Sequence, residues 1–169
     1  MSGHSKSTTL NLQGDCVLAC PFFMPVGRSE DGVWLHPSRL PLGSGWAGHC
    51  TAQGYEGALP DTRQLQEECN LGYATTCPRL PGHRPWDAVR FVVFSEHESR
   101  ICLAYVCERD HLPAEHGKLE YRIGAQQWAN PHFDPRIQRM AQCFLESWFE
   151  KSRRPPAANP QRESVHERT

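Results

Sequence analysis

Five of the chain's eight cysteines lie between Cys16 and Cys77, and two of the five, Cys20 and Cys77, are followed directly by proline. Thiolate sulfur is a soft ligand suited to zinc and to iron–sulfur clusters, and one bacterial cluster-ligand run closes with Cys-Pro. Proline drives the residue before it out of the α region into extended backbone, which holds the cysteine side chain in one direction. The spacing reads Cys16-x3-Cys20, then Cys50, then Cys69-x7-Cys77. A four-iron cluster takes four thiolates, so one of the five is spare. The expected ligands are Cys20, Cys50, Cys69 and Cys77. Two of them carry the Cys-Pro feature, Cys50 lies in a glycine-rich loop, and Cys69 ends a short helix. Cys16 is the alternative to Cys20, because four residues along a helical turn place two side chains on one face. The expected cofactor is one 4Fe-4S cluster, ligated wholly by protein. With no open coordination position, electron transfer, redox sensing or structural support suits it better than substrate chemistry.

Zinc is the competing metal. Structural zinc sites usually gather ligands in pairs two to four residues apart. Only Cys16 and Cys20 are so placed, and His36, His49 or His83 would have to complete a mixed site. A zinc-stabilised protein-interaction module without a redox role is therefore the alternative reading. Cysteine also serves as a small buried hydrophobe, which suits Cys102 and Cys107 better than cysteines flanked by glycine and proline. Radical chemistry on S-adenosylmethionine is set aside, because the third cysteine of that motif would stand where the chain has Phe23. An enzyme built on a reactive cysteine would have Cys16 or Cys143 as its nucleophile, yet no base stands at a fixed spacing from either. No catalytic residue is assigned.

Other chemistry-bearing groups read as weaker. His111, Glu115 and His116 suggest a metal pair but fall in a loop with Pro113. Glu96-His97-Glu98 reads as a hairpin tip. Gly43-Ser44-Gly45 lacks the lysine and the helix that a phosphate cradle needs. Arg79, Arg84 and Arg90, with Trp46 and Trp86, read as packing residues rather than a nucleic-acid surface, since a net charge of −1 draws no polyanion.

These groups must be positioned by a chain of 169 residues with 14 prolines, 13 glycines and an apolar fraction of 38%. Such a chain can bury one modest core, and a metal formed into the folded state would add its binding energy to the cysteine-rich part. No stretch approaches the roughly 20 apolar residues of a membrane span. Met1 to Asp15 carries no apolar leader, so a cytoplasmic setting with reduced thiols is expected. The expected partner is an unidentified protein, with a redox partner suiting the cluster.

The expected fold is α+β: a small antiparallel sheet covered by a C-terminal amphipathic helix, beside an irregular Gly/Pro-rich metal-binding layer. Residues 1–14 read as a flexible lead and 15–151 as one domain, with 16–85 irregular and 86–151 forming sheet and helix. Residues 152–169 read as a disordered tail whose arginines suit an acidic partner. Val33-Trp34-Leu35 is the one strand-like fragment of the first half. A helix is predicted over 62–71, with Asp61 capping it, Gln64 completing a capping box and Gly72 stopping it. Runs at 89–94 and 101–107 predict a hairpin covered on both faces, and 118–123 a half-exposed strand with Leu119, Tyr121 and Ile123 on one side. Asp134-Pro135 opens the last helix. Its core stripe is Ile137, Met140, Ala141, Phe144, Leu145, Trp148 and Phe149, and Cys143 falls off that stripe, predicting partial exposure.

Overall fold

A computed structural model of the chain describes residues 18–29, 34 and 40–153. The expectations for the lead, for Cys16 and His36, for the strand-like fragment around Trp34 and for the tail beyond Arg153 lie outside the described residues. The fold is α+β, with two antiparallel sheets and a C-terminal helix. In chain order the elements are β1 (Phe23–Arg28), β2 (Trp46–Cys50), a short helix α1 (Thr62–Gln64) running into a π turn (Leu65–Cys69), β3 (Ala88–His97), β4 (Arg100–Arg109), β5 (Leu112–Arg122), β6 (Gln127–Trp128) and α2 (Pro135–Arg153). β1 and β2 form one sheet, and β3-β4-β5-β6 form the other in that order.

The larger sheet follows from β-branched and aromatic runs with two tight connections. The β4–β5 turn is Asp110-His111, both at positive φ (51° and 61°), as a two-residue hairpin whose twist matches its strands requires. The register sets Val89 opposite Cys107, and Leu103 between Val93 and Leu119. One face of the sheet thus presents Val89, Ile101, Leu103, Cys107 and Leu119 to the core. The other face is open: Val92 and Phe94 are 58% and 59% exposed. This corrects the expectation of a hairpin covered on both faces. Helix α2 covers one face, and a Lys118 ammonium 3.6 Å from the Phe94 ring centroid is a polar neighbour on the other.

β5 begins six residues before the predicted strand, so His116 is a strand residue opposite Val106, not a loop residue. Pro113 is tolerated there because β6 pairs only with Tyr121 and Arg122, leaving the start of β5 as an edge that needs no donor.

α2 starts as the sequence predicts. The Asp134 carboxylate accepts the Arg136 N–H at 2.9 Å, an N-cap bond, and Pro135 takes the first position, where no N–H is needed. Ile137, Met140, Ala141 and Leu145 are buried as the stripe requires, but Cys143 and Ser147 are buried as well. The expectation of a partly exposed Cys143 is therefore overturned. The flank of α2 that carries Cys143 and Ser147 is covered by the first half of the chain. Arg139 donates to Pro25 O and Val26 O, both at 2.9 Å, and a Cβ on Gly43 would stand 2.7 Å from Ser147 Cβ. The helix is wedged between two layers, which share one hydrophobic core containing Phe23 and Trp46 as well as the sheet residues.

Candidate metal centre

Cys20, Cys50, Cys69 and Cys77 line a single cavity, walled also by Phe22, Phe23, Ala52, Ala74 and Leu80. The enclosed space is small, about 20 Å³. Each of the four comes from a different piece of backbone, and each piece has its own reason to be there.

Cys20 precedes the turn into β1, and the bridge between Ala19 and Val89 (Ala19 N to Val89 O 2.7 Å, Val89 N to Ala19 O 2.9 Å) pins it to the larger sheet. Cys50 ends β2 opposite Phe23, where Thr51 donates to Phe22 O through both its N–H and its hydroxyl, each at 2.8 Å. This two-stranded sheet went unread in the sequence because its strands carry Pro25, Gly27 and Gly48 rather than an alternating apolar pattern. Gly48 is needed there: a Cβ would come within 2.1 Å of Met24 O across the pair.

Cys69 ends the π turn. The predicted capping box is present, with Gln64 N to Asp61 Oδ1 at 2.8 Å and Asp61 N to Gln64 Oε1 at 3.2 Å. The winding then loosens, and Asn70 N bonds Leu65 O, five residues back, at 3.2 Å. In an α-helix neighbouring residues stand about 100° apart around the axis; the wider turn lets both Glu68 and Cys69 reach the cavity with Gln64. The helix stops at Asn70, not Gly72. Asn70 is fully buried and clasps two elements: its amide donates to Trp46 O (3.0 Å) and Leu65 O (2.9 Å) and its oxygen accepts from Trp46 N (3.0 Å). It ties the strand that ends in Cys50 to the turn that ends in Cys69. Gly72 has a packing role instead, since a Cβ there would lie 2.6 Å from Ala88 Cβ.

Cys77 follows a turn closed by its own N–H on Ala74 O at 2.9 Å. Tyr73, at φ 56°, holds that segment against the sheet. Its hydroxyl donates to Glu108 (3.0 Å) and accepts from the His111 N–H (3.0 Å), and the two rings stack with centroids 4.2 Å apart. Neither Asn70 nor Tyr73 carried a sequence signal beyond lying between Cys69 and Cys77.

Three of the four sulfurs face a main-chain donor two residues on. Ala52 N lies 3.4 Å from Cys50 Sγ. The main chain at Phe22 and Phe23 lies near the Cys20 thiol and that at Arg79 near the Cys77 thiol, each opposing its rise. Such donors stabilise thiolate and cluster sulfur alike. Against them, burial pushes the Cys20 thiol up to about 12, and the nearby Cys50 and Cys77 add to the shift. Burial does the same to Cys69, again to about 12, with Cys20, Cys77 and Cys50 adding and Arg79 opposing. Cys77 is raised by burial and by the Glu68 carboxyl that its thiol meets. A metal bound by thiols raised in this way would have to displace their protons.

Two polar atoms at this cavity lack partners: Glu68 Oε2, on a residue only 3% exposed, and Arg79 Nη1. Leaving such a group buried and unpaired costs about 1–3 kcal/mol. Among the described residues no three His, Cys, Asp or Glu side chains are gathered tightly enough to hold a single metal ion. His49 and His83 do not line the cavity. Four cysteines on one cavity are the donor set that a thiolate-bound metal or cluster would use.

The remaining candidates serve structure. Glu115 accepts from Tyr105 (3.3 Å) and meets the buried His132 (3.1 Å), with His116 exposed on the opposite side of β5. Arg84 pairs with Asp87 and Arg90 with Glu108, and Trp46 and Trp86 are buried. Gly43 backs onto α2 instead of framing an anion. Among the described residues no helix is long and apolar enough to cross a membrane. Comparison with protein-family models, curated proteins and solved structures finds no match to this chain.

Proposed function

We propose that this protein is an iron–sulfur protein holding one 4Fe-4S cluster on Cys20, Cys50, Cys69 and Cys77, and that it works by one-electron transfer or redox sensing. The observation that carries this reading is that four cysteines from four separate segments line one cavity. A tetrahedral zinc site, with Zn–S bonds of about 2.3 Å, draws its ligands in tightly. A cluster sets its thiolates at the corners of a larger body.

When bound, such a cluster supplies reversible one-electron exchange with all four protein ligands in place. The chain's residues then have distinct tasks. The cysteines bind; Pro21 and Pro78 fix the direction of two of them; the N–H groups of residues 22, 23, 52 and 79 meet sulfur; and Phe22, Phe23, Ala52 and Leu80 keep water away. An unidentified redox partner is the proposed counterpart.

Protein prepared without oxygen should be brown and contain about four iron and four acid-labile sulfide per chain. Serine at Cys20, Cys50, Cys69 or Cys77 should each abolish that content, whereas Cys102→Ser, on the open sheet face, should keep it. Colourless protein with stoichiometric zinc, from cells supplied with both metals, would establish the interaction-module alternative. Full iron in Cys77→Ser would overturn the ligand assignment.

A further inference from the structure

The side chain of Arg79 is held at two points and free at a third. Its Nη2 donates to Leu59 O at 3.2 Å, and its guanidinium lies 5.8 Å from the Tyr55 ring centroid. Nη1 is buried with no acceptor among the described residues, on the residue that lines the four-cysteine cavity. The Glu68 carboxyl lines the same cavity, yet no ion pair joins it to Arg79. A guanidinium cannot be relieved of its charge, and its fork has fixed geometry. With Leu59 and Tyr55 setting the plane, Nη1 is left buried without an acceptor on a side chain that lines the cavity.

We propose that Arg79 is a positioning and potential-setting residue of the metal centre, its Nη1 donating to sulfur of the bound cluster and its charge favouring the reduced state. The inference rests on the cluster reading above. A hydrogen bond to sulfur and a nearby positive charge act in the same direction, since each stabilises the form that carries the additional electron. Removing the charge while keeping the main-chain donor to Cys77 separates the two contributions of the residue.

The test compares wild type, Arg79→Gln and Arg79→Lys, each loaded with iron and sulfide, by redox titration followed in visible absorption. The expected result is a lower potential in Arg79→Gln, by about tenfold in the one-electron equilibrium or about 59 mV. Arg79→Lys should show a smaller drop, because lysine keeps the charge but cannot serve Leu59 O and sulfur as a planar fork. An Arg79→Gln protein with full iron and the wild-type potential would overturn the assignment, as would equal drops in both variants, which would trace the effect to lost packing on Tyr55. If Arg79→Gln takes up no cluster, Arg79→Lys decides: a potential below wild type supports the role and an unchanged one removes it. Wild-type protein without iron would reject the cluster itself, before any potential is measured.

Discussion

Six of the seven described cysteines fall into two kinds by their surroundings, Cys102 of β4 standing apart. Cys20, Cys50, Cys69 and Cys77 face one another across a cavity, whereas Cys107 and Cys143 are sealed in the hydrophobic core with no exposure. Burial pushes both core thiols up to about 12 from an ordinary 9.0. The folded state therefore keeps two protons that the unfolded chain surrenders above pH 9. Their contribution to stability is present in full below about pH 9 and is lost as pH rises from there to about 12. In metal-free protein the urea midpoint should fall across that window, and the Cys107→Ala/Cys143→Ala double variant should fall less steeply. Parallel pH profiles for the two proteins would mean that these thiols do not govern the alkaline loss. Cys143 also shows what a helical pattern cannot reveal. Its position off the stripe was read correctly, but a second layer covering that flank of α2 depends on residues a hundred positions earlier.

At the level of elements, what the sequence disclosed depends on how each element is held. α2, β3 and β4 are organised by their own side chains, and their periodicity and capping residues are visible locally. So is the Asp61–Gln64 capping box. β1, β2 and the 70–77 segment are organised by contacts made elsewhere: a β-pair that needs a glycine for close approach, an asparagine clasping two segments, a tyrosine latched to a distant turn. The four cysteines that line the cavity could be named from spacing and from Cys-Pro, but the Asn70 and Tyr73 that bring them together could not. Gly72 was read as a helix stop and is a packing contact. Gly72→Ala would force a methyl group against Ala88, 2.6 Å away, and against Ala19 O, 3.0 Å away. Overpacking of this kind costs about 1–3 kcal/mol. The loss should appear as a lower urea midpoint together with poorer iron retention, because the shift falls between Cys69 and Cys77. Unchanged stability would show that the 70–77 segment is looser than these contacts imply.

The whole molecule has one shared core, although it is built from two sheets. Phe23 and Trp46 of the smaller sheet, Val89 and Leu103 of the larger, and Met140 and Leu145 of α2 belong to a single buried cluster. The cysteine-rich layer should therefore not melt alone. Loss of cluster absorbance and loss of helical circular dichroism should coincide in urea, as a two-state transition requires. Met140→Ala, in the middle of α2, should lower both by about 2–5 kcal/mol. Two separated transitions would show that the cysteine layer is an independent unit.

The donors that meet sulfur at residues 22 and 52 belong to the peptide backbone, not to the side chains of Phe22 and Ala52. Over evolutionary time this leaves the centre little to conserve. A descendant can exchange the residue after next to each of these cysteines for almost any other and keep the N–H, proline excepted, since it alone deletes the donor. Purifying selection would then act on isolated positions: four thiols, two prolines, and the few residues such as Asn70 whose side chains do the fastening. Position 79 is the informative exception. There the backbone would tolerate drift, and only a task for the guanidinium itself would hold arginine in place.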